Sequence, residues 1–500
     1  MDLRTFLCAA LCLTSALPII TRGLQGVDDD DMTGALAGNA AALSLRYANL
    51  AADIAPGVRR YNFFWSSIEA VASSPTLPAS CPPGTLLTPT SEADRVARGY
   101  NRFHCYAQGE LERYDDVLAR DARIGAASAF IVYGSPDWAQ HPNCTGFPWP
   151  PSPNYKSGCL PWDALDSWED FINLIVERWH APWGSGRPSV QGSKIICLHN
   201  CRHTARGTQS VSRAPFRPSL SSLVPLSPPG LCIWNEVQSL GWSDPSPILP
   251  NRATGATPFF TPAQMSMYAG MIANLTLLAG RAAARQNPEG VQLWLSTDHF
   301  TVAPALHAGD VGHVGLYELL DAYWPLVNTS VPWGIAVHPY DAGDPRNNLT
   351  AQGIYTFATL REAVAEHQCR KLAEVAGVPA DDCYSFPQTQ MWASEQGWPQ
   401  GKTMNKTLQG RNICLAHDLS LSQRLWAVTH NMFQGSVPSN QGGGGDFSLI
   451  DEPPVIAANL SGAAQSSRDT YLAYMATAPG VFGLTSTHYC CTRWAVGCAP

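Results

Sequence analysis

Two glutamates share an unusual setting. Glu236 follows Leu231-Cys232-Ile233-Trp234-Asn235, and Glu395 follows Met391-Trp392-Ala393-Ser394. Each ends a short apolar run of the kind that forms a strand buried on both faces. Two carboxyl groups brought to one cleft can break a glycosidic bond. One, as an acid, protonates the leaving oxygen, and the other attacks the anomeric carbon or activates water. That division of labour needs one group protonated and the other ionised. Trp234 beside Glu236 would favour its protonated form by desolvation, and a second carboxylate nearby would add like-charge repulsion. A single Glu is ordinarily a surface or salt-bridged residue. The recurrence of one context at two places singles out this pair.

Such a pair needs a scaffold that carries distant residues to one end. Gly57 to Trp65, Ala126 to Tyr133, Leu231 to Trp234, Val291 to Ser296, Trp333 to Val337 and the run into Glu395 read as strands. Further strands are expected near Gly34 to Asn39 and near Val481 to Ser486. Helical stretches alternate with them: Ala41 to Ile54, Ala107 to Arg120, Asp166 to Trp179, Thr261 to Gln286, Leu316 to Trp324, Thr356 to Ala376 and Leu419 to Phe433. Trp168, Phe171, Ile172, Ile175 and Trp179 make one apolar stripe, and Thr261-Pro262 is a helix start. Alternation of this kind predicts an α/β fold, a parallel sheet with outer helices that eight strands would close into a (β/α)8 (TIM) barrel. The barrel occupies residues 23–500 as one catalytic domain with long loops, among them Ser74 to Thr90 and Pro142 to Pro161. Chemistry on a barrel gathers where strands end, and both glutamates lie there.

One stretch does not fit. Residues 191–230 contain no Asp or Glu, carry Lys194, Arg202, Arg206, Arg213 and Arg217, and are dense in Ser and Pro. A structureless loop of that length is foreign to a compact domain. It reads as a surface insertion, as translated non-coding sequence, or as a basic arm for nucleic acid.

Trp234-Asn235-Glu236 and Ser394-Glu395-Gln396-Gly397, in this order and setting, resemble the superfamily of retaining barrel glycoside hydrolases that includes cellulase-like, β-mannanase-like and β-xylosidase-like families. The resemblance spans most of Gly57 to Trp398 and is nearest to an uncharacterised branch. It implies that Glu236, ending strand four, is the general acid/base and that Glu395, ending strand seven, is the nucleophile. It implies that Asn235 holds the sugar 2-hydroxyl. His338 and Tyr340, ending strand six, match residues that support the nucleophile, and Arg59 or Arg60 matches an Arg near it on an early strand. Arg60, His338 or Tyr340 would keep Glu395 ionised and oriented. The aromatic usual on strand eight has Tyr489 and Trp494 as candidates. The expected activity is cleavage of β-linked glycans or glycosides with retention, without metal or organic cofactor.

Other side chains extend this reading. Trp65, Trp138, Trp242 and Trp398 lie at or beyond strand ends, where an indole is either core or a platform for a sugar ring. Asp298 and His299 read as a hydrogen-bonded cleft wall. With His338 they also raise a second hypothesis, a metal-dependent barrel hydrolase, although no His-x-His pair lies near an early strand. A third is a non-catalytic glycan-binding protein on the same fold.

Composition sets outer bounds. Hydrophobic residues make up 45% and charged residues only 14% of 500, so most of the chain can bury a core. A net charge of −8 offers no general attraction to nucleic acid. Met1 to Arg22, with Arg4 before the apolar Phe6 to Leu17, reads as a signal peptide, and no other segment suits a membrane span. Asn-x-Ser/Thr sequons at Asn143, Asn274, Asn328, Asn348, Asn405 and Asn459 agree with a secreted glycoprotein. The 15 Cys lack zinc-like spacing, so disulfides are expected, with Cys490, Cys491 and Cys498 as candidates near the C-terminus. The expected partner is therefore a carbohydrate substrate.

Overall fold

The computed structural model describes residues 58–69, 71–124, 127–144, 158–179, 230–234, 237–238, 260–286, 292–297, 314–327, 333–339, 390–397, 406–422 and 427–431, with the backbone of 24–28 and a few single positions, among them 425, 490 and 494. The signal-peptide segment, most of 191–230 and the sites expected at Asn235, Glu236, Asp298, His299, Tyr340 and Trp398 lie outside the described residues.

The strands are β1 (Leu24–Asp28), β2 (Val58–Phe64), β3 (Thr85–Thr88), β4 (His104–Ala107), β5 (Ala127–Tyr133), β6 (Gly230–Ile233), β7 (Gln292–Thr297), β8 (Trp333–Val337), β9 (Gln390–Gln396) and β10 (Ala427–Asn431). All but β3 and β4 close a barrel in the order β1-β10-β9-β8-β7-β6-β5-β2, every neighbouring pair parallel. Strands buried on both faces suit this closure, and the six firm strand expectations fall on β2 and β5 to β9.

The strands expected near Gly34 to Asn39 and near Val481 to Ser486 lie outside the described residues. The first barrel strand is Leu24–Asp28. The last is Ala427–Asn431, inside a stretch expected to be helical, while the helix before it runs Lys406–Ser422. Ala427-Val428-Thr429 is short and β-branched, and its tertiary place between β9 and β1 overrides a weak helical pattern. Trp494 is therefore not a strand-eight residue.

The helices are α1 (Trp65–Ile68), α2 (Glu92–Arg98), α3 (Gln108–Ile124), α4 (Leu165–Trp179), α5 (Pro262–Gln286), α6 (Leu316–Tyr323) and α7 (Lys406–Ser422). Helix α5 starts as its sequence implies: Thr261 Oγ1 accepts from the Gln264 N–H at 3.3 Å, and Gln264 Oε1 accepts from the Thr261 N–H at 2.9 Å. That reciprocal pair is a capping box. The apolar stripe of α4 packs onto β2, with Phe63 5.8 Å from Phe171 and 5.1 Å from Trp179 between ring centres.

The connection from β2 to β5 is longer than a loop. Its residues 85–107 form an antiparallel hairpin, β3 with β4, flanking α2 and pinned by the Cys81–Cys105 disulfide. Cys144–Cys159 and Cys414–Cys490 are also bonded. Among the described residues no helix is long and apolar enough to cross a membrane.

Candidate active site

Side-chain alternation decides what enters the lumen. On β2, Tyr61 and Phe63 face the helices, so Arg60 and Asn62 face inward. The register Asn62, Ile131, Cys232, Trp294, Gly334 and Gln390 carries that inward face around the barrel. Trp294 and Trp392 meet edge-on in the lumen at 5.5 Å, and Trp392 Nε1 donates to Thr429 Oγ1 at 2.8 Å. Gly334 makes room for Trp294: a Cβ there would lie 2.6 Å from the Trp294 ring and 2.7 Å from the Gln390 carbonyl.

Strict alternation from Trp392 would turn Glu395 outward. Instead the register slips: Val428 faces Ala393, but His430 faces Gln396. Ser394 and Glu395 together stand opposite the single residue Thr429. An extra residue of this kind re-aims a side chain, and here it brings Glu395 into the lumen. Glu395 is paired with Arg60, and His338 Nε2 lies 3.6 Å from Glu395 Oε1. The Arg60 and His338 side chains are fully buried, while that of Glu395 is 14% exposed. A partly exposed carboxylate seated on buried cationic and imidazole groups can act on a bound molecule. Of the two arginines, Arg60 takes this place; Arg59 faces outward and lies over the Tyr61 ring.

Cys232 is a free, buried thiol in the same lumen. Burial pushes it well up, Arg60 pulls it down and Glu395 pushes it up again. It stays protonated and is no nucleophile.

After β6 the chain is bent under strain. Trp234 has φ 63°, the left-handed region that a bulky side chain avoids at a cost of about 1–3 kcal/mol. The indole is fully buried 5.8 Å from Trp168 of α4. The Trp234 N–H donates to the Val132 carbonyl, and the Val237 N–H donates to the Ser296 carbonyl, each at 3.0 Å. Both neighbours of the Asn235-Glu236 pair are thus pinned to flanking strands.

Of the indoles considered as platforms, Trp65 is core: it is fully buried and stacked on Phe171 at 5.4 Å. Trp138 is partly exposed after β5 and donates through Nε1 to the Glu69 carbonyl at 3.1 Å. A cluster that sequence reasoning missed lies just beneath. Buried His104 sits between Glu69 and Asp170, at 2.6 Å and 2.9 Å. No periodic pattern marks it, because its members come from a turn, a hairpin and a helix. The one group of metal-type ligands among the described residues, Cys144, Cys159 and Asp244, contains the disulfide, so its sulfurs are not thiolate ligands.

No protein-family model matches the chain, and no curated protein sequence does. Solved structures do. A family 39 glycoside hydrolase from Bacteroides cellulosilyticus is 13% identical, over 91% of this chain and 63% of that one, with a TM-score of 0.44. A family 39 β-xylosidase from Caulobacter crescentus is 11% identical, over 92% and 71%, with a TM-score of 0.47. An endo-β-1,4-mannanase from Thermotoga petrophila is 10% identical, over 93% and 79%, with a TM-score of 0.41. The chain thus spans less than two thirds of the length of the first of these. These three solved structures are of glycoside hydrolases.

Proposed function

We propose that the chain is a glycoside hydrolase of the complete (β/α)8 type, cleaving β-linked glycans or glycosides with net retention. Glu395 is the nucleophile and Glu236 the general acid/base. The observation that carries this reading is Glu395 itself: an inward-turned, partly exposed carboxylate at the end of the seventh barrel strand, backed by buried Arg60 and His338. The guanidinium stabilises the carboxylate anion, the form that attacks an anomeric carbon. Glu236 follows the strained, pinned end of the fourth barrel strand. Strain held beside a reacting group is a common feature of active sites.

In the first step Glu395 forms a bond to the anomeric carbon while the bond to the leaving oxygen breaks and Glu236 gives that oxygen its proton. In the second, Glu236 takes a proton from water, whose oxygen displaces Glu395. Asn235, Tyr340, Trp138, Trp398, Asp298 and His299 are assigned to sugar binding, and His338 and Arg60 to the support of Glu395. The substrate is a carbohydrate and the route is secretory, with which the three described disulfides are compatible.

The test is a panel of aryl β-glycosides and β-linked polysaccharides, with proton NMR of the first-formed anomer. Wild type should release a β product, and Glu395→Gln should lose on the order of 10³-fold or more in turnover while staying folded. Wild-type rates from Glu395→Gln would remove Glu395 from the mechanism.

A further inference from the structure

Outside the Glu395 site, a buried polar cluster surrounds His104. Three elements meet there: the turn after α1 supplies Glu69, β4 supplies His104 and α4 supplies Asp170. All three side chains are fully buried. Neither carboxylate depends on the imidazole alone. The Trp65 indole N–H donates to Glu69 Oε2 at 2.7 Å, and the N–H groups of Asn101 and Arg102 donate to Asp170 at 2.7 Å and 2.8 Å. With a carboxylate against each ring nitrogen, the form that satisfies both is the imidazolium, donating twice.

The other charged groups around it are already engaged. Tyr106 stacks on the ring at 5.1 Å and Tyr100 lies at 6.2 Å. Burial pushes both phenols up, with help from Glu69 at Tyr106 and from Glu177 at Tyr100, so they stay neutral. Arg102 binds Ser73, Arg95 pairs with Glu92, Arg98 pairs with Glu177 and Asp94, and Glu169 is held by Arg281 and Arg285 of α5.

A path leads from this cluster to the barrel mouth. The backbone carbonyl of Glu69 accepts from Trp138 Nε1, and Trp65, itself held by the Glu69 carboxylate, meets Trp138 edge-on at 5.7 Å. Trp138 follows the C-terminal end of β5, on the face of the barrel where Glu395 sits.

We propose that His104 is a positioning residue: by clamping Glu69 and Asp170, an insertion outside the barrel fixes the indole of Trp138 at the mouth and so sets one wall of the substrate cleft. Only the role of Trp138 against substrate rests on the glycosidase reading; the clamp does not. Burial pulls His104 down, but the Glu69 and Asp170 carboxylates outweigh it and push the imidazole up to about 9. The clamp therefore holds at neutral pH and is released as pH rises through that value.

The test reads Trp138 without any substrate. Tryptophan emission and acrylamide quenching of the full chain, taken as the difference between wild type and Trp138→Phe, are titrated from about pH 7 to about 9.5. A reversible rise in Trp138 exposure centred near pH 9 is expected in wild type. In His104→Asn the exposure should be raised about two-fold throughout, with no pH step. On a glycoside that wild type turns over, His104→Asn should raise KM about ten-fold and leave kcat within about two-fold. A flat wild-type titration overturns the proposal, and so does an unchanged KM in the variant. If His104→Asn does not fold, the wild-type titration decides alone. Absence of any turnover counts against the glycosidase reading and leaves the emission result standing.

Discussion

Arg60 and Glu395 are ion-paired across the barrel lumen although their strands are not neighbours: β10 and β1 stand between β9 and β2. The pair exists because β2 points Arg60 inward by plain alternation, while β9 needs an extra residue to do the same for Glu395. Its members differ in solvent access, since Arg60 is fully buried and Glu395 is 14% exposed. A buried guanidinium recognises a carboxylate through a planar fork that lysine lacks.

Arg60→Lys keeps the charge and loses the fork. It should cost about 1–3 kcal/mol of stability, by a missing hydrogen bond in a closed lumen. Turnover should fall roughly 10- to 100-fold, from a carboxylate no longer held in line. Urea denaturation and kcat on the best aryl glycoside check both. Unchanged values for both would show that Glu395 does not depend on this partner.

The acidic partners of His104 give stability a pH dependence of definite sign. The folded imidazole is pushed up to about 9 from an ordinary 6.5. A raised value means that the folded state binds the proton more tightly. The contribution is complete below pH 6.5 and is lost as pH rises through 9. At full strength it is on the order of 3 kcal/mol. Denaturant midpoints should therefore fall between pH 6.5 and 9 in wild type, and His104→Asn should lack that part of the slope. An equal slope in both proteins would place the effect elsewhere.

Gly334→Ala tests the packing beneath the site. The added methyl would press on the Trp294 ring and on the backbone carbonyl of Gln390, neither of which is a flexible end. Overpacking of this kind typically costs about 1–3 kcal/mol. The urea midpoint should drop with an unchanged slope. A neutral result would mean that β8 and the two lumen indoles can shift together at little cost.

What could be read from the sequence follows from which forces act locally. Strands β5 to β9 are short apolar runs, and burial on both faces leaves that mark wherever a parallel barrel is built. The place of Glu395 at a strand end was legible for the same reason, while His338 and the Arg59-Arg60 pair were singled out by the family resemblance. Strand β10 was not, because Ala427-Val428-Thr429 follows a helix without a break in pattern and is made a strand by its neighbours. The choice between Arg59 and Arg60 was open, since one residue of register decides which enters the lumen. The inward turn of Glu395 rests on an extra residue that no periodicity announces. The cluster of Glu69, His104 and Asp170 depends on a hairpin folding back over α4, a purely tertiary event.

The most direct measurement is covalent. Aryl 2-deoxy-2-fluoro β-glycosides of several sugar configurations, with activated leaving groups, slow both steps but let the glycosyl-enzyme form. Peptide mapping of the labelled protein by mass spectrometry then locates the bond. The expected result is one sugar per chain, on Glu395, with none formed on Glu395→Gln. A label on a different carboxylate, or turnover with net inversion by an unlabelled enzyme, would contradict the assignment of Glu395 as the nucleophile.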